Sequence, residues 1–155
     1  MIRQAFTFFV LLLSFCVLLS VGCNDGGRAK PKDLPPLYSA TLTFTQEGIP
    51  LDDASIVLHS DGKWAVAGRT NESGEVKLTT NGYYDGVPAG TYKISVTKVI
   101  FEQNSKGLIV KQTDVIPNQF KTENTTPLEI EIRTKDNNKT FDLGKAIKVN
   151  VPIEP

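Results

Sequence analysis

What this chain lacks limits its chemistry. In 155 residues it has two cysteines, Cys16 and Cys23, one histidine, His59, one methionine and one tryptophan. A single histidine excludes a histidine-built metal centre. Cys16 lies inside an uncharged apolar run, so the cysteines supply neither a disulfide framework nor a zinc site. The 17 basic and 17 acidic residues cancel, which leaves no basic footprint for nucleic acid and no polybasic membrane patch. There is no glycine-rich phosphate loop, and no segment carries apolar residues convincingly at helical spacing. The inventory implies no metal and no cofactor.

Charge is also missing from residues 4–22. Arg3 gives a positive start, the run that follows is mostly Phe, Leu and Val, and Ser20, Val21 and Gly22 stand directly before Cys23. A positive start, an apolar stretch and a small-residue cleavage site make a secretory signal peptide, expected as a helix over 1–22. The cysteine at the cut resembles the lipobox of bacterial lipoproteins, whose thiol receives a diacylglyceryl group before signal peptidase II cleaves. Leu19 stands one place upstream of the family's usual leucine, where this chain has Ser20. The resemblance implies a mature chain that begins at Cys23, carries lipid there, and is held on a bacterial membrane in the cell envelope, facing periplasm or surface. Two acyl chains anchor stably, whereas one binds only marginally. The alternative is an uncleaved membrane anchor, since the run is close to a spanning length. The small residues before Cys23 and the polar Asn24-Asp25-Gly26-Gly27 after it argue against that. Loss of 1–22 removes Arg3 and no acid, so 16 basic residues face 17 acidic ones, a net charge of −1.

Residues 23–37 are the lipidated cysteine and a tether. Pro31, Pro35 and Pro36, with Gly, Lys and Asp, cannot build a core, so a flexible to semi-extended spacer is expected. Residues 24–37 span at most about 45–50 Å. Residues 38–155 are long enough for one domain with its own core.

In that domain the periodicity is two nearly throughout. Leu42 and Phe44, Ile56 and Leu58, Val76 and Leu78, Tyr92 to Val96, Leu128 to Ile132, and Ile147 to Val151 each alternate with outward positions that are mostly polar. One apolar and one solvated face per segment is what an antiparallel sheet covered on one side requires. Turn signals separate the segments: Gly48-Ile49-Pro50, Ser60-Asp61-Gly62, Asn71-Glu72-Ser73-Gly74, Pro88-Ala89-Gly90 and Asp136-Asn137-Asn138. The expected fold is all-β, an antiparallel sandwich of about seven strands of prealbumin or immunoglobulin type. Its core should include Ile56, Val76, Tyr92, Ile94, Val96, Leu128 and Ile130. Gly74 and Gly90 fall at turns that need positive φ, and Tyr92 is an inward residue whose hydroxyl can bond backbone at the rim.

Three motifs carry a resemblance. Gly48-Ile49-Pro50-Leu51 with Ala54-Ser55-Ile56-Val57-Leu58, then Thr70-Asn71-Glu72-Ser73-Gly74-Glu75-Val76, then Val87-Pro88-Ala89-Gly90-Thr91-Tyr92-Lys93-Ile94, are similar to the signature segments of carboxypeptidase-regulatory-like domains. The stretch from Ile116-Pro117-Asn118-Gln119-Phe120 to Phe141-Asp142-Leu143 resembles a variant abundant in small lipoproteins of planctomycete-type bacteria. The resemblance implies a transthyretin-like sandwich and no particular activity. The transthyretin-related hydrolases of 5-hydroxyisourate share that fold. They use several histidines and a Tyr-Arg-Gly-Ser tail, and this chain has one histidine and ends Val151-Pro152-Ile153-Glu154-Pro155.

Candidate chemistry is sparse. His59, Ser60 and Asp61 are the residue types of a hydrolase triad, but consecutive residues at a strand end point in alternating directions, so a plain turn is expected. Asp52, Asp53, Asp61 and Asp85 lie in loops and match no EF-hand spacing. Trp64, Tyr83 and Tyr84 are candidates for a sugar-stacking surface, with core or rim packing the plainer reading. Asn71, Asn124 and Asn138 open chance glycosylation sequons. The candidate contact residues are therefore Asp61, Trp64, Tyr83, Tyr84 and Asp85, in two loops. The function these features imply is a non-enzymatic envelope lipoprotein, its sandwich a structural or protein-interaction module with an envelope protein as partner. The alternative is a surface module that binds a glycan or small ligand.

Overall fold

The computed structural model describes residues 29–153; the expected signal peptide and Cys23 lie outside them. The chain divides into two compact units, Met1–Lys32 and Asp33–Pro155, and all the strands described below belong to the second. They are β1 (Leu37–Tyr38), β2 (Thr41–Gln46), β3 (Ile49–Pro50), β4 (Ser55–His59), β5 (Val66–Arg69), β6 (Glu75–Lys77), β7 (Thr79–Thr80) and β8 (Tyr84–Asp85). There follow β9 (Val87–Pro88), β10 (Gly90–Thr97), β11 (Val99–Gln103), β12 (Ile109–Asp114), β13 (Glu129–Ile132), β14 (Asn138–Asp142) and β15 (Val149–Val151), with a 3-10 turn at Asn118–Phe120. The domain is all-β, as the alternation requires. Among the described residues no helix is long and apolar enough to cross a membrane.

Two sheets supply the core. One has six strands in the order β13-β10-β4-β5-β7-β8; the other is β14-β2-β3, with β6 also paired to β2. Register explains the burial. Ile94 lies opposite Leu58, Leu58 opposite Val66, and Val66 opposite Thr80, so one inward row crosses four strands. Val96 and Ile56 form the next row, and Tyr92 and Ile130 a third. Leu42 and Phe44 of β2 belong to the same core cluster. Ile56, Ile94, Val96, Leu42, Phe44 and Val66 are all fully buried. Of the expected core only Leu128 is partly buried, packed at the margin.

Several features exceed what alternation shows. The sequence pattern suggests about seven strands, and the additional pieces β1, β3, β7, β8 and β9 are two residues each, too short to display a period. β14 runs parallel to β2 over Asn138↔Thr41 to Asp142↔Thr45, and alternation does not encode strand direction. The hairpin β11–β12 was not anticipated, because Ile100-Phe101 and Ile109-Val110 break the period. β15 corrects an expectation: the repeat of Ile147, Val149 and Val151 implies a core face, yet Val149 is 51% exposed. β15 pairs with β12 in a separate sheet, β11-β12-β15, since an amphipathic strand does not specify which sheet it joins. The tether is also partly engaged: Leu37 pairs with Pro88, and Asp33 forms an ion pair with Lys63.

The motif residues act on the backbone. Gly74 has φ +75, and a Cβ there would lie 2.4 Å from the Phe44 carbonyl oxygen. The same turn is fastened by Asn71 Oδ1, which accepts the Ser73 and Glu75 N–H groups at 3.0 Å each. Gly90 also has positive φ. The Tyr92 hydroxyl donates to the Pro88 carbonyl at 3.0 Å, and burial pushes its pKa up. Asn137, buried in a turn, donates to the Ser39 and Arg133 carbonyls. Asp142 ties the end of the β14–β2 pair by accepting from Thr45 Oγ1 and Gly48 N at 2.8 Å and from Gly144 N at 2.6 Å.

Two outcomes are expected. Ile94→Ala should cost about 2–5 kcal/mol in denaturant unfolding, the usual range for a fully buried isoleucine; a loss under about 0.5 kcal/mol would contradict this register. Asp142 provides a pH test. The Thr45 hydroxyl, then the Gly144 and Gly48 N–H groups, hold its carboxyl below the usual aspartate value of 3.8. A lowered folded pKa gives stability that is complete above the unfolded value and is lost as pH falls through the folded one. Asp142→Asn should therefore be less stable at neutral pH and show a flatter acid limb in melts taken below about pH 5.

Candidate recognition surface

The five candidate residues sit on two neighbouring connections of the six-stranded sheet. Asp61 and Trp64 lie in the loop between β4 and β5. Tyr83 follows the β7 turn, and Tyr84 and Asp85 form β8. Asn81 and Gly82 have φ of +53 and +73, the paired positive values of a type I′ turn, for which Asn-Gly is the favoured dipeptide. The two connections are joined reciprocally. Asn81 N–H donates to the Ala65 carbonyl at 2.7 Å, and Ala65 N–H donates to Asn81 Oδ1 at 3.1 Å. Trp64 is thereby held beside the tyrosine turn. Neither loop alone could fix that position.

The groups in this region are already engaged. The Tyr83 and Tyr84 rings meet edge to face with centroids 6.5 Å apart. Tyr83 is 60% exposed, whereas Tyr84, opposite Thr80, continues the inward row Ile94-Leu58-Val66-Thr80 at its outer end. Lys63 Nζ lies 4.9 Å from the Trp64 ring centroid, over its face. The same ammonium pairs with Asp33 and holds that carboxyl below its ordinary pKa. Asp85 pairs with Lys77 at 2.9 Å. Asp61 is exposed at the start of its loop. The structure thus brings Trp64 and the two tyrosines to one region and leaves Asp61 and Asp85 at its margins.

His59 does not converge on Ser60 and Asp61. Its Nε2 lies 2.7 Å from Ser95 Oγ, and its Nδ1 lies 3.9 Å from Glu123 Oε2. Ser95 and Glu123 were missed in the sequence because they are far from His59 along the chain. The β4–β10 register, with Lys93 opposite His59 and Ser95 opposite Val57, brings Ser95 to His59, and Glu123 comes from the connection between the 3-10 turn and β13. The available signal was Ser95 at an outward position of an alternating strand. The line Ser95-His59-Glu123 has the residue types of a triad without its working geometry. Ser95 is only 5% exposed, and the carboxylate is beyond hydrogen-bond range of the imidazole. A nucleophile must reach a substrate carbonyl beside oxyanion donors. Here the histidine instead ties the end of β4 to β10 through Ser95. The segment after the 3-10 turn is fastened to β10 by Thr126, whose Oγ1 donates to the Ile94 carbonyl at 2.6 Å.

Asp52 and Asp53 line a surface cleft with Thr70, Asn71, Glu72 and Ser73, and neither Asp61 nor Asp85 lines it. Asp52 is bound by Lys98 at 2.5 Å and Asp53 by Arg69 at 2.7 Å. The hydrogen bond from Lys98 lowers the Asp52 pKa. Among the described residues no group of three or more His, Cys, Asp or Glu side chains is arranged to hold a metal ion.

No family model, curated protein or solved structure matches this chain.

The joint between the two loops gives a test. Asn81→Ala should lose about 1–2 kcal/mol, from losing the short polar side chain that lets asparagine tolerate a left-handed backbone and from removing a hydrogen bond worth about 1 kcal/mol. The Ala65 amide should then exchange faster with deuterium. Asn81→Gly should relieve the backbone cost and still speed that exchange. Unchanged exchange at Ala65 in both variants would show that the loops are not joined there.

Proposed function

We propose that this protein is an envelope lipoprotein, anchored in a bacterial membrane by lipid on Cys23, whose sandwich is a non-catalytic structural or protein-interaction module. The carboxypeptidase-regulatory-like, transthyretin-like resemblance and the planctomycete-type source belong to the same proposal. The observation that carries it is the uncharged run of residues 4–22 ending in small residues at Cys23. The use made of the single histidine supports the non-catalytic part. His59 is bonded to a serine closed off from solvent, whereas catalysis needs tuned groups gathered in an open cleft. In this reading the protein uses no cofactor, meets no nucleic acid, and has an envelope protein as its partner.

A second reading rests on the joined loops. Trp64 and Tyr83 lie in loops joined through Ala65 and Asn81, and their aromatic side chains suit stacking on a sugar ring. Lys63 lies over the Trp64 ring and covers a face on which a sugar would stack, which places glycan binding second.

The anchor is tested by growth in labelled palmitate and by the mass of the N-terminal peptide. Label on a chain that begins at Cys23 is expected, with release or stalling of Cys23→Ser. An intact Met1 terminus without label would overturn the anchor. Affinity capture from envelope extract should recover a protein partner, and glycan binding that Trp64→Ala abolishes would replace the first reading by the second.

A further inference from the structure

Lys63 holds two partners at once. Its ammonium lies 4.9 Å from the Trp64 ring centroid, and it also donates to the Asp33 carboxylate. Asp33 belongs to the tether and stands far from Lys63 along the chain. A lysine next to a tryptophan in sequence can swing off the ring. A carboxylate that also binds the ammonium restricts that freedom.

The tether reaches Lys63 because it is seated further along. Leu37 and Tyr38 pair with Pro88 and Val87. Gly86, just before that strand, has φ +102, and a Cβ there would lie 3.0 Å from the Tyr38 carbonyl oxygen and 3.2 Å from Leu37 Cβ. Glycine at this position lets the tether pass close. The Gly86 carbonyl accepts from Thr80 Oγ1 at 2.7 Å, and Thr80 precedes the Asn81-Gly82 turn that is bonded to Ala65, the residue after Trp64. Hydrogen bonds thus connect the seat of the tether, the tyrosine turn and the Trp64 loop.

The two attachments differ in strength. Leu37 and Tyr38 are held by strand pairing, whereas the Lys63 and Asp33 side chains are 62% and 61% exposed. An ion pair so exposed is weak and screened by salt, and a cation over an accessible ring adds little more. The contact at Asp33 can therefore open while the seat holds. Asp85, in the same region, is paired with Lys77 instead, so the carboxylate bound to Lys63 is the one that the tether brings.

We propose that Asp33, Lys63 and Trp64 form a latch: the tether carboxylate holds the Lys63 ammonium over the indole, and release of Asp33 lets the lysine leave and uncovers the ring. The latch is an autoinhibitory contact within the aromatic region. It requires neither lipid on Cys23 nor a glycan partner. For a sugar to stack on that face of Trp64, the latch must open first.

Trp64 is the one tryptophan of the chain, so the wild-type protein carries its own reporter. Two quantities are measured at low salt. One is the proton shift of the Lys63 ε-methylene, which the indole ring current moves upfield. The other is quenching of Trp64 emission by acrylamide, a neutral probe. Wild type should show upfield-shifted Lys63 signals. Asp33→Asn should return them most of the way to the ordinary lysine position and raise the quenching constant about twofold, as for a contact populated most of the time and then lost. Lys63→Ala should raise quenching as far, and Asp33→Asn added to it should raise it no further, since Asp33 acts only through the lysine. Salt at about 1 M, where the Debye length is about 3 Å, should open wild type and leave Asp33→Asn unchanged. Asp85→Asn should change neither quantity, and the thermal midpoint should stay the same in every variant. Unshifted Lys63 signals in wild type would overturn the latch. So would shifted signals that survive both Asp33→Asn and salt, because the lysine would then hold the ring without the tether. A rise in quenching found only with a lowered midpoint would be loss of packing and would overturn it as well.

Discussion

The domain depends on burying one face of β10 and β4 in the core that β2 shares. Ile94, Leu58 and Val66 form a continuous inward row across three strands, and Leu42 and Phe44 belong to the same cluster. Because strand residues alternate faces, a slip of one residue in any of these pairings would carry the whole apolar set to the solvent side. The turns are therefore constrained by the core as much as by their own chemistry. Gly74 shows this: the Phe44 carbonyl comes so close that a Cβ has no room, so a residue in a surface turn is fixed by a strand of the interior.

The polar bonds follow from the same burial. Tyr92 is drawn inward beside Ile130 and Ile94, and its hydroxyl must then find a buried acceptor, which the Pro88 carbonyl provides. Asn137 satisfies two carbonyls where the chain enters β14. Asp142 lies at the far end of the same strand and gathers a hydroxyl and two N–H groups. Together they hold the parallel β14–β2 pair, which has no tight hairpin of its own to set its register. Hydrogen bonds of this kind contribute only modestly while made, but leaving one partner buried and unpaired is costly.

The surface divides into regions of different character. Around Trp64 and the tyrosines the two tyrosine rings meet edge to face, Lys63 lies over the Trp64 ring, and Asp33 and Asp85 are paired with lysines, so much of the region is engaged before any partner arrives. The β11–β12 hairpin is the opposite. Its apolar side chains face outward and only its turn is internally bonded. This contrast makes the hairpin the place where the fold alone leaves burial incomplete.

Alternation in the sequence determined the all-β class, and with it the inward positions Ile56, Val76, Tyr92, Ile94, Val96 and Ile130, because a period of two records which residues share a face. Local turn chemistry likewise marked Gly74 and Gly90, since positive φ is a requirement on single residues; the Asn81-Gly82 turn was not marked in the sequence and emerged from the structure. A face, however, carries no address. Whether β15 joins the core or a separate sheet, whether β14 runs parallel to β2, and whether His59 meets Ser60 or Ser95 are settled by pairings between distant segments. The same limit held for the candidate surface: aromatic residues were legible in each loop, but only the Ala65–Asn81 joint brought the loops together. Only the tertiary structure decided these, because strand pairing is made of backbone hydrogen bonds, which every residue but proline can offer.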